Sequence, residues 1–253
     1  MLRTKKFKSI HNLETEIKKN DLLMVGIIGS ITLIGKLREN SKLETLKDAL
    51  EKYKEFFDFD ENRKNDVWQL GFIRLFASFE SFMYDFMSEM FTWIPESLPK
   101  DIKIDIDSIL NLKTQKSTYD YIVDHISIQY SYDLNTWEKK LADKFGIIVF
   151  ENIENKQMFF FLNSYRNMLL HSGGKFNSKA SRDLRNFFIL NPTAELPKDF
   201  NKKILFEVEK IEGLADASLY EYLKQEILKI ISQIKKKYKA KSKTTIKKQS
   251  KGM

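Results

Sequence analysis

Val67-Trp68-Gln69-Leu70-Gly71-Phe72-Ile73-Arg74-Leu75-Phe76-Ala77-Ser78-Phe79-Glu80-Ser81-Phe82-Met83-Tyr84-Asp85-Phe86-Met87-Ser88-Glu89-Met90-Phe91 carries the strongest helical pattern in the chain. Arg74, Ser78, Ser81, Asp85 and Ser88 recur on a polar stripe, and Ile73, Phe76, Met83 and Met87 on an apolar one. No Pro interrupts these 25 residues, so the pattern predicts one long helix. Glu80 falls inside the apolar stripe, four after Phe76 and three before Met83. A carboxylate there must be paired, protonated or beside water. The alternative is a helix edge where Glu80 reaches solvent.

Working outward, helical periods recur on both sides. Upstream, Ser41-Lys42-Leu43-Glu44 reads as a capping box, and Leu43, Leu46, Leu50, Tyr53 and Phe57 follow at helical spacing. A loop is expected from Asp58 to Asn65. Asp58-Phe59-Asp60-Glu61-Asn62 resembles the start of a calcium loop, but Arg63 stands where Gly is needed and Gln69 where a bidentate Glu is needed, which excludes calcium. Downstream, Pro95 and Pro99 break the chain. Asp101-Ile102-Lys103-Ile104-Asp105-Ile106-Asp107 alternates as a strand would, with three Asp on one face; burial of the three Ile on the other explains the pattern without a cation. Helices are predicted at Ser117–Gln129, at Asn135–Phe145 up to Gly146, and at Ile153–His171 up to Gly173-Gly174. The stretch Leu184–Ile211 is mixed, with a turn at Asn191-Pro192 and a short strand at Lys203–Val208. A last helix over Ala215–Tyr238 places Leu219, Leu223, Ile227, Ile230, Ile231 and Ile234 on one face. The expected fold class is all-α, a helical bundle with extra helices and at most a small β element. One domain with an N-terminal helical extension is expected over residues 1–238.

The apolar run Leu22–Ile34 is 13 residues long and contains Gly26, Gly29 and Ser30. A membrane span needs roughly 20 apolar residues, so a buried helix with no membrane partner is expected. The N-terminus has no apolar signal region, and a cytoplasmic location is expected. There is no Cys, which excludes disulfides and thiolate metal sites. The formal net charge of +8 is local: nine Lys and no acidic residue lie between Lys235 and Met253. Removing those nine from 43 basic residues leaves 34 against 35 acidic ones. Residues 239–253 are therefore expected to form a solvated, disordered basic tail. Such a tail serves as a sequence-independent handle for phosphates, or only as a solubilising end.

The chemistry concentrates at the end of the helix Ile153–His171. Met158, Phe161, Leu162, Tyr165, Met168 and Leu169 make its apolar stripe, leaving Asn163, Arg166, Asn167, Leu170 and His171. Asn167 and His171 are four apart and share a face. Arg166 is five before His171, about 140° round the helix, but its side chain is long. His171 falls in the last turn, where exposed carbonyls favour an imidazolium, and the Gly-Gly stop lets a substrate come close. Lys175, Lys179, Arg182 and Arg185 follow as candidate RNA-binding cations.

Arg166-Asn167-Met168-Leu169-Leu170-His171 resembles the Arg-x(4–6)-His motif of HEPN-superfamily ribonucleases, including the polar residue directly after Arg. Phe72–Phe82 looks like that family's earlier helix, whose acidic residue, here Glu80, faces the motif. The helix order over Val67–Gly174 is similar to HEPN domains of the RiboL-PSP type. The resemblance implies a HEPN-type bundle and a metal-independent endoribonuclease that needs no cofactor. His171 would exchange protons with the 2′-hydroxyl or the leaving 5′-oxygen, and Arg166 would hold the phosphate. Asn167 would orient either, and Glu80 would anchor Arg166. It also implies a homodimer with one composite cleft, an RNA substrate, a toxin or anti-phage role, and an antitoxin or defence-system partner. A catalytically silent HEPN-like module that binds protein or RNA is the rival reading.

Overall fold

The structure, a computed structural model, describes residues 7–40, 48, 61–110, 112, 114–171 and 217–249. It is all-α: among the described residues there is no strand. The α-helices are α1 (Lys8–Asn40), α2 (Glu61–Trp93), α3 (Ile106–Leu110), α4 (Gln115–Ser131), α5 (Leu134–Phe145), α6 (Ile153–His171) and α7 (Ala217–Gln249), with a 3-10 turn at Pro95–Ser97. The helix expected after Ser41, the first residues of the calcium-like loop and the strand expected at Lys203–Val208 lie outside the described residues.

Local signals account for most ends. Thr114 and Ser117 form a reciprocal capping box that starts α4. The Asp133 side chain accepts from Thr136 N–H and starts α5, and Gly146, with φ 60°, ends it in the left-handed conformation. Burial pushes the Asp133 carboxyl up, but hydrogen bonds from Thr136 and Asn135 outweigh it and leave it below the usual Asp value. α2 begins at Glu61, six residues before the expected Val67, because nothing in Glu61–Asp66 breaks a helix and an acidic first residue suits its N-terminal dipole. α7 runs past the expected Tyr238 to Gln249, through residues read from sequence as a solvated tail; Lys, Ala and Gln are good helix formers and no Gly or Pro intervenes before Gly252.

Two expectations need correction. Residues 102–105 are irregular, and Ile106 opens α3. The alternation survives as exposed Asp101, Lys103 and Asp105 around half-buried Ile102 and Ile104, with no strand to pair against. The run Leu22–Ile34 is helical but not buried. Leu22, Val25 and Leu33 are 74%, 68% and 58% exposed, and only Met24 in the run is buried. An apolar sequence shows that a segment can be buried, while its neighbours decide which side is. No described helix is long and apolar enough to cross a membrane.

The chain divides into two compact units. The first takes Met1–Glu14, Ser78–Ile153 and Ile227–Met253. Its core is aromatic. Trp137 of α5 is fully buried, set edge-on to Phe79 and Phe82 of α2 at 5.8 and 6.2 Å between ring centroids. Its indole N–H donates to the Met83 carbonyl at 3.1 Å. Phe91 meets Tyr130 and Phe145, and Phe7 stacks on Trp93 at 4.3 Å. The start of α1 is capped from a distance: Glu89 accepts from the backbone N–H groups of Lys8 and Ser9 and from the Ser9 hydroxyl, the last at 2.6 Å.

The second unit takes Thr15–Ala77 and Glu154–Glu226. Phe72 and Phe76 of α2 meet Tyr165 and Phe159 of α6 at 5.7 and 5.5 Å. α1 crosses α2 closely, since a Cβ at Gly71 would stand 2.5 Å from the Met24 sulfur. Beside this crossing the buried Asn20 amide donates to the Gly71 carbonyl at 2.9 Å and to the Tyr220 hydroxyl at 3.2 Å. Tyr220 donates to Asp21, which also takes Lys224. Burial, and next the hydrogen bond to Asp21, push the Tyr220 phenol well up, so it stays a neutral donor. Asn20→Ala removes a donor from two buried acceptors and is expected to cost about 1–3 kcal/mol, read as a lower urea midpoint at unchanged slope. A midpoint within error of wild type would show that the network contributes nothing net.

Candidate functional site at the end of α6

The residues of α6 divide as their spacing predicts. Met158, Phe161, Leu162, Tyr165, Met168 and Leu169 are buried, and Phe159 joins them with no exposure at all. Asn163, Arg166 and Asn167 are half-buried and Leu170 is exposed, so the polar residues lie off the packed stripe. The rings of Phe72 and Phe76 hold the helix by its inner face, which fixes the direction in which Arg166 and Asn167 leave it.

Arg166 and Asn167 are brought together: Arg166 Nη1 donates to Asn167 Oδ1 at 2.8 Å. Neighbours on a helix point about 100° apart, so the contact draws the guanidinium round towards the Asn167 side, the face on which position 171 also lies. Helix α6 runs to His171, whose side chain falls outside the description, as do Lys175, Lys179, Arg182 and Arg185. Glu80 is half-buried on α2 in the first unit. The buried large side chains of α2 are Phe72, Leu75, Phe76, Phe79, Phe82, Met83, Phe86, Met87, Met90 and Phe91, and Glu80 and Ile73 are half-buried beside them.

Sequence reasoning missed a buried carboxylate at the opposite end of α6. Glu226 of α7 is 2% exposed and accepts from the Asn155 side-chain amide at 3.2 Å. Burial, and then the charge of Glu226, push the Tyr222 phenol up to about 12. The available signal was an acid directly before Ile227, in the apolar run of α7. Asp101, Asp105 and Asp107 do not assemble into a cation site; among the described residues no three His, Asp or Glu side chains gather as one. A shallow groove of about 430 Å³ along α1 is lined by Leu22, Leu23, Gly26, Ile27, Ser30 and Ile31, none of which can act as acid, base or cation. No protein-family model, no curated protein and no solved structure matches the chain.

Proposed function

We propose that the protein is a metal-independent endoribonuclease of the HEPN type, acting through Arg166, Asn167 and His171. The observation that carries this reading is the Arg166–Asn167 hydrogen bond on the half-buried side of a helix that ends at His171. A guanidinium steered by an amide, on the same helix as a histidine, suits phosphate chemistry. The Arg fork neutralises a phosphate oxygen. The 2′-hydroxyl then attacks the phosphorus, forming the new P–O bond as the bond to the 5′-oxygen breaks. One proton leaves the 2′-oxygen and one reaches the 5′-oxygen, leaving a 2′,3′-cyclic phosphate and a 5′-hydroxyl. His171 is the proposed proton carrier, and two copies of the chain would supply one for each transfer. Growth arrest by RNA cleavage, in a toxin or anti-phage setting with a regulating partner, is the biological role this chemistry would serve.

The test is incubation of the full chain with total RNA in EDTA, followed by analysis of the new ends. Cyclic phosphates support the reading. Intact RNA would favour a silent RNA- or protein-binding module. The basic end should separate from the chemistry: six Lys lie in residues 239–253. Deleting these residues is expected to weaken RNA binding broadly and to flatten its log–log salt slope by up to about 4, while cleavage at saturating RNA persists. Loss of turnover at saturation would place the basic end inside the site.

A further inference from the structure

α6 carries three consecutive phenylalanines, Phe159-Phe160-Phe161. Phe159 and Phe161 are buried in its packed stripe, and Phe159 meets Phe76 of α2 at 5.5 Å. Phe160 is not part of that stripe: it is half-buried, on the polar side of the helix. Packing of the core accounts for its two neighbours and not for it.

Helical register shows what Phe160 keeps company with. Counted from Asn167, Lys156 lies about 20° to one side and Phe160 about 20° to the other, with Asn163 and position 171 each about 40° away on opposite sides. These five positions share an arc of about 80° that runs about 22 Å along the helix. Lys156, Phe160, Asn163 and Asn167 are all half-buried, so none is enclosed in the core. The one acid of α6, Glu154, falls about 140° from Asn167. Asn155, which holds the buried Glu226, falls about 120° away on the other side. The arc therefore has a cation at one end, the Arg166–Asn167 pair and His171 at the other, and no carboxylate of its own helix between them.

Each of these side chains suits one part of an unpaired nucleotide. An aromatic face takes any base, an ammonium takes a phosphate, and amides pair with base edges or a 2′-hydroxyl. Lys156 Nζ stands 5.8 Å from the Phe160 ring centroid, so ring and charge are presented together. A duplex cannot use the ring, because its bases already stack on one another. We infer that Phe160, with Lys156 beside it, is a stacking subsite for one unpaired base of the RNA strand whose phosphate Arg166 holds. It rests on the ribonuclease reading for the placing of the cut. Along the helix Phe160 is about 9 Å from Arg166. A stacked strand rises about 3.4 Å per nucleotide, which puts the stacked base about two or three nucleotides from the cleaved bond.

The test is the affinity of the full chain for a short unstructured RNA, 2′-O-methylated so that it cannot be cut, measured by fluorescence anisotropy in EDTA. Phe160→Ala and Phe160→Leu are each expected to weaken binding roughly 5- to 150-fold. Phe160→Tyr keeps the aromatic face and should bind as the wild type does. Leu keeps the apolar bulk, so a loss shared by Ala and Leu is not a packing effect. Affinity for a perfect duplex of the same sequence should be unchanged in all three variants. A scan of single abasic positions should find one at which the wild type loses as much as Phe160→Leu does, and at which Phe160→Leu loses nothing more. Binding by Phe160→Leu equal to wild type overturns the inference, and so does an equal loss on the duplex. RNA bound through Phe160 whose unmethylated form is never cut removes the ribonuclease reading and keeps the subsite. RNA cut as well by Phe160→Leu as by the wild type, at subsaturating concentration, removes the subsite and keeps the ribonuclease. A wild type that binds no RNA removes both.

Discussion

His171→Ala and Arg166→Ala are each expected to lower RNA cleavage by about 10²–10⁴-fold while leaving the thermal midpoint near that of wild type. The size follows from the roles. A positioned proton carrier contributes roughly 10²–10⁴-fold, and a preorganised cation over developing phosphate charge contributes about as much. The fold should survive because the packed stripe of α6 is made by Met158, Phe159, Phe161, Leu162, Tyr165, Met168 and Leu169, and contains neither residue. Asn167→Ala should cost less than Arg166→Ala, since it frees one arm of the guanidinium without removing its charge. Cleavage that persists in a clean His171→Ala preparation would sink the mechanism, and 3′-hydroxyl ends would point to metal-assisted hydrolysis.

Trp137→Ala is expected to destabilise the protein by about 3–5 kcal/mol, a large share of the roughly 5–15 kcal/mol that holds a typical domain. The indole has no exposed surface, lies edge-on to Phe79 and Phe82, and donates to the Met83 carbonyl. Its removal leaves a hole bounded by rigid rings that cannot collapse into it. Trp137→Phe keeps much of the volume and loses the hydrogen bond, so it should fall between the two, nearer to wild type. Denaturant unfolding of the three proteins decides the order. Equal losses for Ala and Phe would show that the hydrogen bond, not the ring, carries the stability.

Sequence patterns reached furthest where one helix contains both its own punctuation and its own packed face. Gly146 marks the end of α5, and α6 starts at the expected Ile153. The apolar positions of α7 from Leu219 to Ile234 are all buried. The readings that failed depend on neighbours. Glu80 stands four after buried Phe76 and three before buried Met83 yet is itself half-buried, because the extent of burial at a helix edge is set by what packs beside it. Leu22–Ile34 looked like core because composition carries no information about which side of a helix has company. At the candidate site, the polar residue after Arg166 was legible as a motif. Its hydrogen bond to the guanidinium is a rotamer choice that a one-dimensional pattern does not contain.

The Asn20–Tyr220 hydrogen bond spans 200 positions of sequence. A ribosome adding roughly 5–20 residues per second takes about 10–40 s to make Tyr220 after Asn20. Through that interval the Asn20 amide has the Gly71 carbonyl as an acceptor, but the Tyr220 hydroxyl that completes its buried network has not been synthesised. Native burial of this stretch of α1 must therefore wait for α7, and a chain stalled before Tyr220 presents α1 to chaperones and proteases with its apolar side uncovered. Synthesis of the first turns of α7, not emergence of the N-terminal half, is the event that closes the unit.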